Sequence, residues 1–566
     1  MCGGCGDIAL NSWFLAWTPF AILHGHNPLL STWANYPHGV NLMDNASMML
    51  PALLVAPVTL ALGPLVSFNL LATLAFAGSA TAAFFVLRRY APWPPAAFVG
   101  GLLYGFSPYM VNQGLGHIHL TLVAFPPLLM LVLDEVLVRQ RRPPIPCGII
   151  LGLLVVAQFF TSTEVLASTA IMAAIGVVIL LGVRRLSGSC MRRASVSLLV
   201  AGVVAVVILA VPLYVLVAGP QHINGPAQPN GAIYSANMGG PIVAPGTMVF
   251  STARSSMTSA KWFGIADIVE NGTYLGIPLL MVLALVGLRF RRERLVCFGL
   301  AMAAIAFVIA LGARLDVGTR RTGIRLPFTI FQHLPLLQSL LAVRFMLYVD
   351  LFIGLVLAVG IDRIQSVGFG ALKGGLRAGA VATLVGMAAL VPLVPRWPYS
   401  TQREEVPRWF VSNDVRVVPA GSVVVTYPFG PTPYSPLLWQ AQANLRYRIP
   451  DGDFQTPGPG GRVTVLPNPT TLQALLTDYY TGEPPPALSA SLITQARADL
   501  ERWNTWAVVV AREGAAPNRA VELFRRVLGE PPTWHDGVAV WTDCPAAPGE
   551  HLTGPGSVPP GIGGAR

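Results

Sequence analysis

Lysine occurs only twice in 566 residues, at Lys261 and Lys373, so arginine carries nearly all of the basic charge. The formal net charge of +11 therefore comes from no lysine-rich tail or basic amphipathic stripe of the kind that tracks phosphates, and nucleic acid is excluded as a partner. Charge of either sign is scarce. Asp, Glu, Lys and Arg make up 11% of the chain, against about 25% in a soluble domain. With 53% hydrophobic residues, that scarcity excludes a soluble globular protein and leaves an α-helical polytopic membrane protein. The six cysteines are scattered. Cys2 and Cys5 form a CxxC with no second pair and no His-x-x-x-His nearby, so no zinc site is expected. No basic stretch precedes an apolar core at the start, so no signal peptide is read there. Residues 1–65 hold no Lys or Arg, and no internal repeat is visible.

What is present is a series of apolar runs, near 66–88, 95–116, 118–138, 194–218, 273–289, 295–313, 341–361 and 376–394. A further run, 146–183, would be about 57 Å long as one helix, too long for about 30 Å of hydrocarbon. It breaks most naturally at "TSTE" (161–164), which brings the expected total to about ten spans. Sixteen Arg and Lys residues fall in alternate loops, from Arg88 and Arg89 to Arg377, and mark those loops as cytoplasmic. The first 65 residues, the "TSTE" turn, the loop 219–272, the region 314–340 and everything after about 395 are then expected outside. The stretch 47–63, short and with two prolines, reads as a helix lying in the interface, because counting it as a span would invert every later loop.

Four parts follow: a first extracytoplasmic loop with interfacial helices (1–65), a transmembrane core (66–394), an extracytoplasmic α/β domain (395–545) and a Gly/Pro-rich, disordered tail (546–566). In the third, 422–429, 506–511 and 538–543 read as strands, and 489–503 and 518–528 as amphipathic helices.

Residues 1–65 combine two acids (Asp7, Asp44) and three histidines (His24, His26, His38) with Trp13, Phe14, Trp17, Phe20, Trp33 and Tyr36. Trp13, Phe14, Trp17 and Ala21 share a helical face, as in an interfacial helix anchored by Trp. Rings that stack on pyranose faces beside a carboxylate suit a sugar-handling site. Trp and Tyr also collect at interfaces whatever the function, and both readings stay open.

The segments "GDIALNSWFLAWTPFAILHGHNPLLSTWANYPHGVNLM" (6–43), "GGLLYGFSPYMVNQGLGHIHLT" (100–121) and "AQFFTSTEVLAS" (157–168) resemble a family of actinobacterial multi-spanning membrane proteins. These are placed with the GT-C glycosyltransferases, which use polyprenyl-phosphate sugars. The resemblance runs over about residues 6–395. It implies a first transmembrane helix leading into a large outer loop that opens with a catalytic acid. Asp7 stands at that place. The expected first helix is missing ahead of it, and the paired acid common in such loops is replaced by "IALN".

The resemblance implies glycosyl transfer on the outer face of the plasma membrane, from a polyprenyl-phosphate sugar to a cell-envelope acceptor, a glycan or a lipid-linked one, with membrane lipids as further partners. Asp7 is the expected general base, with a loop acid or N-cap as its alternative. Glu164, a carboxylate at membrane depth, is the second catalytic candidate, or else caps the helix behind Thr161–Ser162–Thr163. Arg344 meets the lipid phosphate or snorkels to headgroups; Arg320, Arg321 and Arg325 are weaker candidates of the same kind. His24, His26, Trp13, Tyr36, His117 and Glu270 complete the substrate-binding set, although His117 and His119 in "GHIHLT" more often form interface hydrogen bonds. Asp7, Glu164 and the histidines could supply ligands to a divalent cation, but no spacing demands one. The segment 427–454, with its Tyr, Trp, Gln and Arg, is the expected acceptor-glycan surface. A lipid or solute transporter, or a non-catalytic or truncated envelope protein, is the alternative. The transporter is disfavoured by the lack of matching broken spans.

Overall fold

A computed structural model describes residues 7–183, 187–227, 233–263, 268–369, 373–399, 401, 403, 405–429, 435–465 and 469–544. The CxxC cysteines and the tail 546–566 lie outside the described residues. The chain divides into two compact units, each discontinuous in sequence. One comprises Met1–Ser31, Gly39–Glu405 and Asp453–Pro467; the other comprises Thr32–His38, Val406–Gly452 and Asn468–Arg566. The boundary expected near 395 therefore does not describe the whole division, because a short early segment belongs with the late unit and 453–467 belongs with the early one.

The first unit opens with the helix Asp7–Leu23. Its Trp13 and Trp17 rings stack 5.4 Å apart, and Phe454 meets Trp13 edge-on at 4.9 Å. Both indoles are buried, so this aromatic face packs inside the protein. The stretch 47–63 forms two short helices, Met49–Leu54 and Ala56–Leu62, parted at Val55.

Among the described residues, six helical stretches are long and apolar enough to cross a membrane: Pro64–Leu87, Ile118–Arg139, Thr163–Val183, Gly188–Ala218, Ala342–Val367 and Leu376–Leu393. The chain is a multi-pass helical membrane protein; about ten spans were expected, and the described residues show six such stretches. The run 95–116 is split, because Phe106 ends Pro94–Gly105 and the Ser107 hydroxyl caps Pro108–Gln113 at Met110 N. Pro144–Phe159, Ile277–Arg289 and Arg294–Ala310 are apolar but shorter, at 16, 13 and 17 residues. The long run 146–183 breaks at 160–162, beside "TSTE".

The stretch Ala342–Val367 is the innermost, 94% buried over its apolar window, whereas the other five bury 22–39% of theirs. Small residues let it pack closely. A Cβ at Gly100 would lie 2.5 Å from the Gly354 carbonyl oxygen, and one at Gly354 would lie 2.9 Å from that of Gly100. Only glycine at both places allows this backbone approach.

The second unit carries a four-stranded sheet in the order Val423–Tyr427, Thr505–Val510, Val538–Thr542, Thr533–His535. The first pair is parallel and the others antiparallel. Ala490–Arg502 and Pro517–Leu528 pack on it with Thr471–Thr481. Tyr427, Trp439, Gln440 and Tyr447 are interior residues of this unit. The segment expected to hold an acceptor glycan thus uses most of its large side chains as core.

Candidate functional site

Five side chains named from the sequence meet in one ionic chain within the first unit. Asp7 stands in the first turn of Asp7–Leu23, with about 30% of its side chain exposed. Its Oδ2 faces His117 Nε2 at 2.9 Å. One turn on, Asn11 donates to the Gly116 carbonyl at 2.8 Å, which ties the helix to the segment carrying His117. On the other edge of that ring, Nδ1 lies 2.6 Å from Gln113 Oε1 and 3.5 Å from Glu270 Oε1. Gln113 Nε2 donates to Glu270 Oε2 at 2.8 Å. Glu270, itself only 2% exposed, receives Arg344 Nη2 at 2.5 Å and Arg344 Nε at 3.2 and 3.3 Å. Arg344 Nη1 donates to Glu164 Oε2, and Glu164 Oε1 accepts from Leu341 N at 3.3 Å.

Local structure explains why these groups converge. Ser107 starts the helix that presents Gln113 at its end, and the His117 amide closes on the Gln113 carbonyl at 2.8 Å. Glu270 ends a 3₁₀ turn, Ile268–Glu270. The residues after it are fixed by Asn112, which donates to the Asn271 carbonyl at 2.5 Å, and by Asn271, which donates to Ser259 Oγ at 2.8 Å. Gly272 has no room for a side chain: a Cβ there would lie 2.5 Å from Tyr109 Cα. Arg344 lies in the 3₁₀ turn Ala342–Phe345 that leads into Met346–Val367. Below it, Tyr348 joins Ser168 and Thr169, each at 2.8 Å, so Glu164's helix is held to the same inner element.

The electrostatics follow from these pairs. Burial raises the Asp7 carboxyl, but the charge and hydrogen bond of His117, with His119 and Arg344 behind, outweigh it and hold Asp7 below its ordinary value. Burial lowers His117; Asp7 and then Glu270 more than offset this and leave its pKa raised, against opposition from Arg344. Burial likewise raises Glu270, and Arg344, His117 and Gln113 bring it below its ordinary value. Three carboxylates thus share one guanidinium and one imidazolium, a net charge of −1 while His117 is protonated.

The other named residues lie elsewhere. Trp13 is packed away on Trp17 and Phe454. His24 and His26 follow the far end of the first helix, about 25 Å along its axis from Asp7. His24 stacks on Phe20 with centroids 4.3 Å apart. Tyr36 belongs to the second unit, where the Arg448 guanidinium lies 5.5 Å from its ring. Arg320 and Arg321 are exposed on the strand Arg320–Arg325, as is Arg325. His119 is buried, its ring 5.8 Å from that of His117. Among the described residues no group of three or more His, Cys, Asp or Glu is placed to hold a metal ion; Asp7, His117 and Glu270 are strung in a line, not gathered round a point. Sequence reasoning missed Gln113, Asn112 and Asn271. The signal for Asn112 and Gln113 was an "NQ" pair inside an otherwise apolar run, and Asn271 stood beside Glu270 in "VENGT".

Fold and cluster together define a multi-pass helical membrane protein with a buried ionic chain where its apolar helices begin. The chain belongs to the family described as a domain of unknown function (DUF6311), whose model matches residues 4–371, a span that contains all five residues. No curated protein matches the sequence. Among solved structures, the chain is similar in fold to the arabinofuranosyltransferase AftD from Mycobacteria, at 15% identity and a TM-score of 0.50, over 95% of this chain and 39% of that one. It thus spans about two-fifths of that protein's length. The apo oligosaccharyltransferase of Archaeoglobus fulgidus matches at 12% identity and TM-score 0.49, over 92% of this chain and 68% of that one. The oligosaccharyltransferase AglB of the same organism, in complex with an inhibitory peptide and a dolichol-phosphate, matches at 14% and 0.42, over 88% and 65%.

Proposed function

We propose that this protein is a GT-C-like membrane glycosyltransferase that moves a sugar from a polyprenyl-phosphate donor to a cell-envelope acceptor on the outer face of the plasma membrane. One observation carries the reading: Asp7, the only member of the ionic chain with about 30% of its side chain exposed, is anchored by one oxygen to His117 and leaves the other for a ligand. An acceptor hydroxyl gives its proton to Asp7 as its oxygen attacks the anomeric carbon. The bond from that carbon to the phosphate oxygen breaks, and its electron pair leaves on the phosphate. A base so placed is worth about 10²–10⁴-fold.

Arg344 has its donors facing Glu164 and Glu270, so a donor phosphate reaching it would compete with Glu164, the more exposed of the two at 21% against 2%. Glu164 is then the gate to the guanidinium. The outer-face assignment draws on charge. His117, Glu164 and Arg344 each precede or begin a candidate span, and the arginines lie at the other ends, at Arg139, Arg184 and Arg363, which is the cytoplasmic side by the positive-inside rule.

Membranes containing the protein, supplied with a panel of radiolabelled polyprenyl-phosphate sugars, test the reading. Asp7→Asn at unchanged protein level is expected to lose at least about 100-fold in transfer, and Glu164→Gln to weaken donor use. Transfer from no donor by the wild type would favour a non-catalytic envelope protein.

A further inference from the structure

His117 lies between two groups whose hydrogen-bonding roles are fixed, and this settles which of its nitrogens can titrate. Glu270, ionised, only accepts. The Gln113 amide therefore turns its NH₂ to Glu270 Oε2, at 2.8 Å, and its oxygen to His117 Nδ1, at 2.6 Å. Facing that oxygen, and Glu270 Oε1 at 3.5 Å, Nδ1 keeps its hydrogen whatever the charge of the ring. Nε2 is then the nitrogen that gains and loses a proton, and Nε2 is the one against Asp7.

We propose that His117 is a positioning residue that takes up, at Nε2, the proton Asp7 removes from the acceptor, with Gln113 and Glu270 fixing the tautomer that makes this direction of transfer available. The inference rests on the transferase reading and specifies how its site is reset. With His117 neutral, Asp7 is an unpaired carboxylate beside an empty acceptor nitrogen. The acceptor's proton moves to Asp7 as the new glycosidic bond forms and the bond to phosphate breaks. It then passes to Nε2, restoring the carboxylate and leaving an imidazolium, which releases the proton to water. The ionic pair seen in the structure is the loaded state of this shuttle.

The charged and titratable groups around His117 act together. Asp7 comes from the first helix, Glu270 from the 3₁₀ turn, and His119 from the short helix Ile118–Thr121. Arg344 opens the inner helix, and Glu164 lies beyond it. The carboxylates favour the imidazolium, and Arg344 opposes it. The working form is the neutral ring, so transfer should rise with pH through the His117 titration, above the ordinary histidine value of 6.5.

Two measurements on the full-length protein in nanodiscs test this. The first is ¹⁵N NMR with labelled histidine, His117 being assigned by its loss in His117→Gln. Nε2 is expected to titrate while Nδ1 stays protonated, with a midpoint above 6.5 that drops in Asp7→Asn. A titrating Nδ1, or a midpoint indifferent to Asp7→Asn, overturns the proposal. The second is the pH profile of kcat/KM for transfer. The wild type should gain about tenfold per pH unit on the acid limb. His117→Gln should lose that limb while retaining KM for the donor, and Gln113→Leu should free the tautomer and blunt the limb. A His117→Gln enzyme with the wild-type limb overturns the shuttle and leaves the transferase reading standing. Absence of transfer in the wild type at every pH overturns both, even where the NMR titration follows expectation.

Discussion

Glu270 and Glu164 both neutralise Arg344, but their surroundings differ enough to separate their roles. Glu270 is 2% exposed and Glu164 21%. Removing one partner of a buried pair leaves an uncompensated charge, at a cost of about 3–5 kcal/mol. Glu270→Ala should therefore destabilise the protein by that amount, and Glu164→Ala by much less, since water can reach the vacated place. Thermal unfolding in detergent would show it, and equal losses would sink the distinction. The same cluster gives stability a pH window. Asp7 and Glu270 are depressed from ordinary values of 3.8 and 4.5, so their contribution is present above those values and is lost as pH falls through the lower folded ones. His117 is raised from 6.5, so its contribution is full below that value and is lost as pH rises through the higher folded one. The pairing should stabilise most between 4.5 and 6.5. The melting temperature of the wild type should decline on the alkaline side, and that decline should vanish in His117→Gln. At this scale much of the cluster was legible: Glu164 stood out as a carboxylate at membrane depth, Glu270 and Arg344 as charges at the start of apolar runs, and Asp7 through the family resemblance. Gln113 did not, because an amide carries no charge and its value lies wholly in the orientation that Glu270 imposes on it.

Elements were legible where a local signal sets their ends. The polar breaks between apolar runs, "TSTE" above all, are such signals. They failed where a cap competes with hydrophobicity. The run 95–116 is apolar enough to read as one span, yet the Ser107 hydroxyl accepts from Met110 N and Pro108 cannot continue the preceding helix, so the chain turns there and brings Gln113 to His117. The close approach of Pro94–Gly105 to the inner helix was equally invisible, since a glycine in an apolar run does not announce its neighbour. Gly100→Ala places a Cβ against the Gly354 carbonyl, and the backbones must part. We expect a loss of about 1–3 kcal/mol, and Gly354→Ala, with its slightly longer 2.9 Å approach, should cost no more. Unfolding midpoints of the two variants would check the order.

For the molecule as a whole, the interleaving of Thr32–His38 with the late unit and of 453–467 with the early one could not be read from a linear change in composition, because it rests on pairings across hundreds of residues. Trp33, for example, donates to the Leu445 carbonyl at 2.7 Å. Orientation, by contrast, rests on counting charge, and the chain carries its own reporters for it. Cys190 opens Gly188–Ala218 next to Arg192 and Arg193, and Cys297 lies in the first turn of Arg294–Ala310 and is exposed. By the positive-inside rule both are expected to face the cytoplasm. His24, exposed beyond the end of the first helix, belongs to the arginine-free segment and should face outward. In a variant with Cys2 and Cys5 replaced by serine, a membrane-impermeant maleimide added to intact cells should label His24→Cys and leave Cys190 and Cys297 untouched until the membrane is permeabilised. The reverse pattern would place Asp7 and its partners in the cytoplasm, out of reach of an envelope acceptor, and the transfer proposed for them would have to be abandoned.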